Sequence, residues 1–179
     1  MRIYFIRHAE GYHNLNEKSW NIKYPRLTER GKIQAKNAKN EVPSTVDLVL
    51  VSPLVRTLET ADIIFDKSNN KFVSEEFIRE KVINPCDFRQ PVSEVKKEFK
   101  YVSFNINDSA TNINKIEDDN DVEKRLDLLY DWIITRNEKK IAIVSHGQFL
   151  YQFINKYGEY FNIKNKEWML NCEVRIGKI

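Results

Sequence analysis

The sequence has only two cysteines, Cys86 and Cys172, far apart and in no metal-ligand spacing. Two buried free thiols are therefore expected, ahead of one disulfide. Charge of one sign is missing as well, since 29 Lys and Arg stand against 26 Asp and Glu for a net of +3. No basic stripe dominates a helix pattern, which argues against a nucleic-acid partner. A local cluster of cations can still hold a small anion, because binding depends on the field at the site. No apolar run approaches membrane-spanning length, and the first, Arg2-Ile3-Tyr4-Phe5-Ile6, is too short for a signal peptide. No membrane association is expected, and a cytoplasmic location is the default. With no internal repeat and no linker, the 179 residues read as one domain, 1–179, long enough for a real core.

Histidine is scarce too. The chain has three, and two of them, His8 and His13, fall within "RHAEGYHN". What surrounds them is an alternation of strand and helix patterns. Arg2 to Ile6 is short, apolar and rich in β-formers, and residues 7 to 27 form an irregular loop. Thr28 can cap a helix running to about Glu41, weakened locally by Gly31. "DLVLV", 47 to 51, is a second buried strand. Ser52 is placed to cap the next helix, with Pro53 at its first position. A short strand is expected within 71 to 79. Residues 81 to about 117 are the least regular and read as an inserted cap that sets substrate specificity, with helix around Glu94 to Phe99. Asp118-Asp119 begin a helix whose Val122, Leu126, Leu129 and Ile133 recur at helical spacing. The acidic run there lacks the glycine and glutamate of a calcium loop, and helix capping explains it better. "KKIAIVSHG" ends a third strand at His146. A helix from about Gln148 to Tyr157 and a final strand in "LNCEVRIGK" complete the pattern. It predicts an α/β fold: a three-layer α/β/α domain with a mostly parallel sheet and a small inserted cap.

Ligands of such sheets bind beyond the carboxyl ends of the strands. Those ends carry Arg7-His8, then Ser52-Pro53 with Arg56 one turn further on, then Ser145-His146-Gly147. Two guanidiniums match the geometry and charge of a phosphate monoester, leaving the imidazoles to attack phosphorus or donate to its oxygens. Phosphoryl transfer is the chemistry these residue types suggest.

Four motifs carry a resemblance. "FIRHAEGYHN", "RLTERGKIQA", "VSPLVRTLETA" and "VSHGQF" stand in the order found in the histidine phosphatase superfamily, also called phosphoglycerate-mutase-like, and the chain resembles that family along nearly its whole length. The family has Asp after its second histidine in the acid-phosphatase branch. Gln148 follows His146-Gly147 here, so the chain resembles the other branch. The resemblance implies that His8 is the nucleophile, forming a phosphohistidine. It assigns phosphoryl binding to Arg7, Arg56 and His146, with Asn14 and the Gly147 N–H completing the pocket. Glu80, in "FIRE", takes the place of the general acid. His8 must be neutral at its attacking nitrogen, so its other nitrogen is expected to bond a backbone carbonyl. The two arginines supply the charge a metal supplies elsewhere, so neither metal nor cofactor is expected. Ala9 departs from the family's usual Gly, and Glu59 stands where Gln is common, as a surface change. His13 reads as a loop residue rather than a ligand. Arg89, in the cap, has two readings: a contact to a substrate carboxylate or second phosphate, or a surface salt bridge.

Three functions fit this set. Hydrolysis of a phosphomonoester, of a small molecule or of a phosphoprotein, is preferred. A cofactor-dependent phosphoglycerate mutase is the alternative within the family, and mutases there are longer, with a tail closing the site. A silent phospho-ligand-binding protein is the alternative from another class, disfavoured because the set of Arg7, His8, Arg56, Glu80 and His146 is complete.

Overall fold

The structure is a computed structural model that describes residues 1–108 and 114–179. Its elements run β1 (Arg2–Arg7), α1 (Glu29–Ala38), β2 (Leu48–Val51), α2 (Val55–Ile64), β3 (Phe72–Ser74), α3 (Val92–Glu98), β4 (Val102–Phe104), α4 (Asp119–Ile134), β5 (Lys140–Ser145), α5 (Gly147–Tyr157) and β6 (Val174–Lys178). The sheet order is β4-β3-β2-β5-β1-β6. All neighbours are parallel except β6, which runs antiparallel to β1.

The apolar strands are buried on both faces because helices cover both. Ile3 and Phe5 of β1 pack with Leu126, Leu129, Phe149 and Phe153 of α4 and α5. Tyr4 and Ile6, on the opposite face, join Ala35, Leu58 and Val95 of α1, α2 and α3. The four expected core positions of α4, Val122, Leu126, Leu129 and Ile133, are all buried. Asp118 caps that helix by accepting from the Asp121 N–H at 2.9 Å, so the acidic run is a helix start. Thr28 caps α1 through the Gly31 N–H at 2.9 Å. Cys86 and Cys172 are free and buried.

Two local expectations change and one is refined. Ser52 does not cap α2: the helix begins at Val55 after an extended Leu54 that makes no side-chain cap. The Ser52 hydroxyl is taken instead by His146. The short strand expected within 71–79 is β3, followed by a 3-10 turn over Glu76–Ile78 that redirects the chain before Glu80. The 81–117 segment is not wholly a cap, because β4 lies inside it and extends the sheet beside β3. A three-residue edge strand carries too little periodicity to be seen in sequence. Residues 109–113 of that segment lie outside the described residues.

The strand order decides the site. β5 lies between β1 and β2, with Arg7 opposite Ser145 and Val51 opposite Val144. The three motif-bearing carboxyl ends are therefore adjacent in one edge of the sheet.

Gly31 explains itself here. A Cβ at this position would lie 2.0 Å from the Glu10 carbonyl oxygen. Gly-to-Ala in a helix interior ordinarily gains about 1 kcal/mol. Gly31→Ala should instead destabilise the protein by roughly 1–3 kcal/mol, the usual range for overpacking. Urea denaturation reads the sign, and a stabilised variant would contradict the packing described.

Candidate active site

At that edge is a cleft of about 170 Å³ lined by Arg7, His8, Asn14, Arg56 and Glu80, together with His13 and Asp87. The first strand delivers the nucleophile candidate in a defined orientation. His8 is buried, and its Nδ1 lies 2.7 Å from the Ala9 carbonyl oxygen. A carbonyl only accepts, so Nδ1 carries the proton and Nε2 keeps its lone pair. Ala9 fits without strain, being fully buried with its N–H donated to Thr60 Oγ1 at 3.1 Å. The same hydroxyl donates to the Arg56 carbonyl at 2.7 Å, tying the first loop to α2.

His146 stands behind the cleft, its ring centre 5.2 Å from that of His8. Its Nε2 meets Ser52 Oγ at 2.7 Å, while Nδ1 is buried without a partner. When the Ser52 hydroxyl donates to Nε2, Nδ1 carries the proton, the tautomer that lets it donate to an anion. The capping pattern hid this contact between Ser52 and His146. Arg56 is held by the Cys86 carbonyl at 2.7 Å and by Asp87 at 3.6 Å. Arg7 donates to the Met169 carbonyl at 2.7 Å and lies over the Trp168 ring. Gly147 opens α5 against Arg7, where a Cβ would come within 3.0 Å of Arg7 Nε and 2.7 Å of Trp168. Asn14 accepts from the Gly11 N–H at 3.0 Å.

Four buried nitrogens in this group have no hydrogen-bond partner: Arg7 Nε, Arg56 Nε, His13 Nδ1 and His146 Nδ1. Buried polar atoms are nearly always paired, and these nitrogens around one cleft suit an oxygen-rich ligand. The imidazoles are neutral. Burial, then the positive charges of Arg56 and its neighbours, holds His8 and His146 well below the usual imidazole range. His13 is lowered to about 2 for the same two reasons.

Glu80 answers the cations from the far wall. It accepts from the N–H groups of Phe149 at 3.0 Å and Gln148 at 3.2 Å, in the first turn of α5, and from Lys81 N–H at 3.0 Å. Those bonds and Arg56 favour its ionised form, yet its pKa is raised. Removal from water outweighs them, and Asp87 adds a like charge. Asp87 is itself fixed by the N–H groups of Ile83 at 3.2 Å and Asn84 at 3.0 Å.

Several sequence assignments change. His13 is not a loop bystander: it is buried in the cleft wall, its ring centre 5.3 Å from that of His8. Its place one residue before Asn14 in the first motif was the only available sign. Arg89 does not reach the cleft, and its ion pairs are not at the surface. It is 1% exposed and paired with Glu76 at 2.8 Å and Asp108 at 2.8 Å, clamping the segment around α3. Glu59 is more than a surface change, since it accepts from Arg26 at 2.7 Å and from the Leu27 N–H at 2.8 Å. Asp87 had no pattern to announce it.

The model of the histidine phosphatase superfamily (branch 1) matches residues 3–175. The chain belongs to this superfamily. A phosphoglycerate mutase-like protein of Arabidopsis thaliana is 30% identical, over 97% of this chain and 82% of its own length. Among solved structures, the phosphoserine phosphatase of Entamoeba histolytica, in complex with 3-phosphoglyceric acid, has a TM-score of 0.63 at 22% identity, covering 98% of this chain and 89% of that one. The ecdysone phosphate phosphatase of Bombix mori, in complex with tungstate, reaches a TM-score of 0.69 at 15% identity, covering 98% and 88%. At those identities the two structures share the fold with this chain. Membership of the superfamily supports a phosphoryl-transfer enzyme.

Neutral buried histidines have a cost under acid. Their folded pKa values lie below the unfolded value of ~6.5, so the unfolded chain takes up protons first. Stability is fully present above that value and falls below it by about 1.4 kcal/mol per pH unit for each such imidazole. The melting temperature should therefore drop from about pH 7 to about pH 5, and less steeply in His13→Phe. An unchanged slope in that variant would show that His13 is not held neutral.

Proposed function

We propose that this protein hydrolyses a phosphomonoester through a covalent phosphohistidine on His8. The four partnerless nitrogens around a neutral, oriented His8 are the observation that carries the proposal. A phosphoryl group supplies three oxygens and about two negative charges, which suits two guanidiniums and an imidazole donor.

In the first half-reaction His8 Nε2 forms a bond to phosphorus as the ester P–O bond breaks. Arg7, Arg56 and His146 Nδ1–H take up the charge on the non-bridging oxygens. They are already in place, so no reorganisation is needed at the moment of reaction. Glu80, whose pKa burial and the like charge of Asp87 raise, gives its proton to the leaving alkoxide. A bound dianion raises that pKa further. In the second half-reaction the Glu80 carboxylate takes a proton from water, the water oxygen bonds phosphorus, and the N–P electron pair returns to Nε2. Ser52 keeps His146 in the tautomer the step requires.

Hydrolysis is preferred over mutase action because of the charge inventory of the cleft. Arg7 and Arg56 serve one phosphoryl group. Lys81, the further cation in the lining, is tied to Asp119 at 2.6 Å. A bisphosphorylated intermediate needs a second cationic cradle, and Arg89 is turned away from the cleft.

His8→Ala should abolish phosphate release and acid-labile labelling by a phosphorylated substrate; retained turnover would end the proposal. Glu80→Gln should slow an alkyl phosphate by about 10²–10⁴-fold and 4-nitrophenyl phosphate far less, since a good leaving group needs little protonation. Equal losses would remove Glu80 from the acid role. With 3-phosphoglycerate and its bisphosphate primer, phosphate release should outpace isomer formation, and the opposite ranking would make the protein a mutase.

A further inference from the structure

Three large apolar side chains belong to the wall of the cleft. Trp20, Ile83 and Trp168 line it while remaining 43%, 45% and 48% exposed. They come from three separate parts of the chain: the 3-10 turn over Glu17–Asn21, the stretch after Glu80, and the loop before β6. Scattered single exposed apolar residues are ordinary, but three converging around one charged pocket are a patch, and patches of this kind mark binding surfaces. Trp168 is also fixed, lying against Tyr151 at 5.7 Å between ring centres and over Arg7 at 5.3 Å. Ile83 is fixed through its backbone, which donates to Asp87.

The charges deeper in the cleft point the same way. Asp87 lines the cleft and repels a second anionic group, and Glu80, the proton donor beside it, offers such a group no cation. Lys81 is held by Asp119, and Arg89 is consumed by Glu76 and Asp108. The whole cleft, with Trp20, Ile83 and Trp168 included in its lining, is about 170 Å³, so the remainder of a substrate larger than a phosphoryl group and a few atoms extends past them.

We propose that the site selects phosphomonoesters of uncharged, apolar alcohols, with Trp20, Ile83 and Trp168 as the surface that receives the alcohol, and discriminates against esters carrying a second anionic group. This rests on the phosphatase reading for its chemistry, but it can be measured by binding alone. The probes are two non-hydrolysable phosphonates, 3-phenylpropylphosphonate and 2-carboxyethylphosphonate, titrated calorimetrically into the full chain. The phenylpropyl compound should bind at least ~10-fold more tightly, a difference of about 1.4 kcal/mol. Trp20→Ala and Ile83→Ser, both exposed positions, should each weaken it by roughly 5-fold, while the affinity for inorganic phosphate stays the same. Equal or tighter binding of the carboxyethyl compound would overturn the proposal. So would unchanged phenylpropyl affinity in both variants. If this preference holds while no phosphate ester is hydrolysed, the ligand class stands and the catalytic reading falls.

Discussion

Two guanidiniums and three imidazoles are gathered out of water around a space that suits a negative charge. Most of the local structure follows from that constraint. A guanidinium withdrawn from water needs partners: the buried Arg56 has the Cys86 carbonyl and Asp87, and the half-buried Arg7 has the Met169 carbonyl and the Trp168 ring. A buried imidazole cannot also carry charge among those cations, so all three are neutral. His8 is neutral in a useful way, since the Ala9 carbonyl claims Nδ1 and leaves Nε2 free. The nitrogens still unpaired are stabilisation withheld from folding and available to a ligand.

The acid side of the site obeys the same economy. Glu80 spans the gap to α5 and satisfies the N–H groups of Gln148 and Phe149, which the helix cannot satisfy itself. One carboxyl group therefore fixes the start of the helix behind His146 and faces the cleft. Asp87 does two things at once as well: it steadies Arg56, and its charge keeps Glu80 from ionising as readily. Moving either carboxylate shifts both the geometry and the protonation of its neighbour, so their effects on the site are coupled.

Much of this was legible along the chain. The both-face burial of β1, β2 and β5 shows as continuous apolar runs, and α4 shows its four core positions at helical spacing. Arg7, His8, Arg56 and His146 stood at strand or helix ends, where an α/β sheet places ligands. Ser52 misled because a serine before a proline fits a helix cap equally well; only its partner, 94 residues away, shows its use. Arg89 misled for the opposite reason. A lone arginine in an irregular segment has no local sign of whether it meets a ligand or carboxylates of its own chain. β4 was missed because three residues at a sheet edge have almost no period to read.

The sequence by itself determined the element types, the parallel α/β architecture and the chemical kinds of side chain at the strand ends. These depend on periodicity, caps and residue chemistry, which are local. Only the tertiary structure decided that β5 lies between β1 and β2, and so which strand ends are neighbours. It also decided that His13 and Asp87 enter the cleft, that Arg89 leaves it, and that Trp20, Ile83 and Trp168 share its rim. Those outcomes depend on contacts between residues distant in sequence, where distance, burial and charge exist only once the chain has closed on itself.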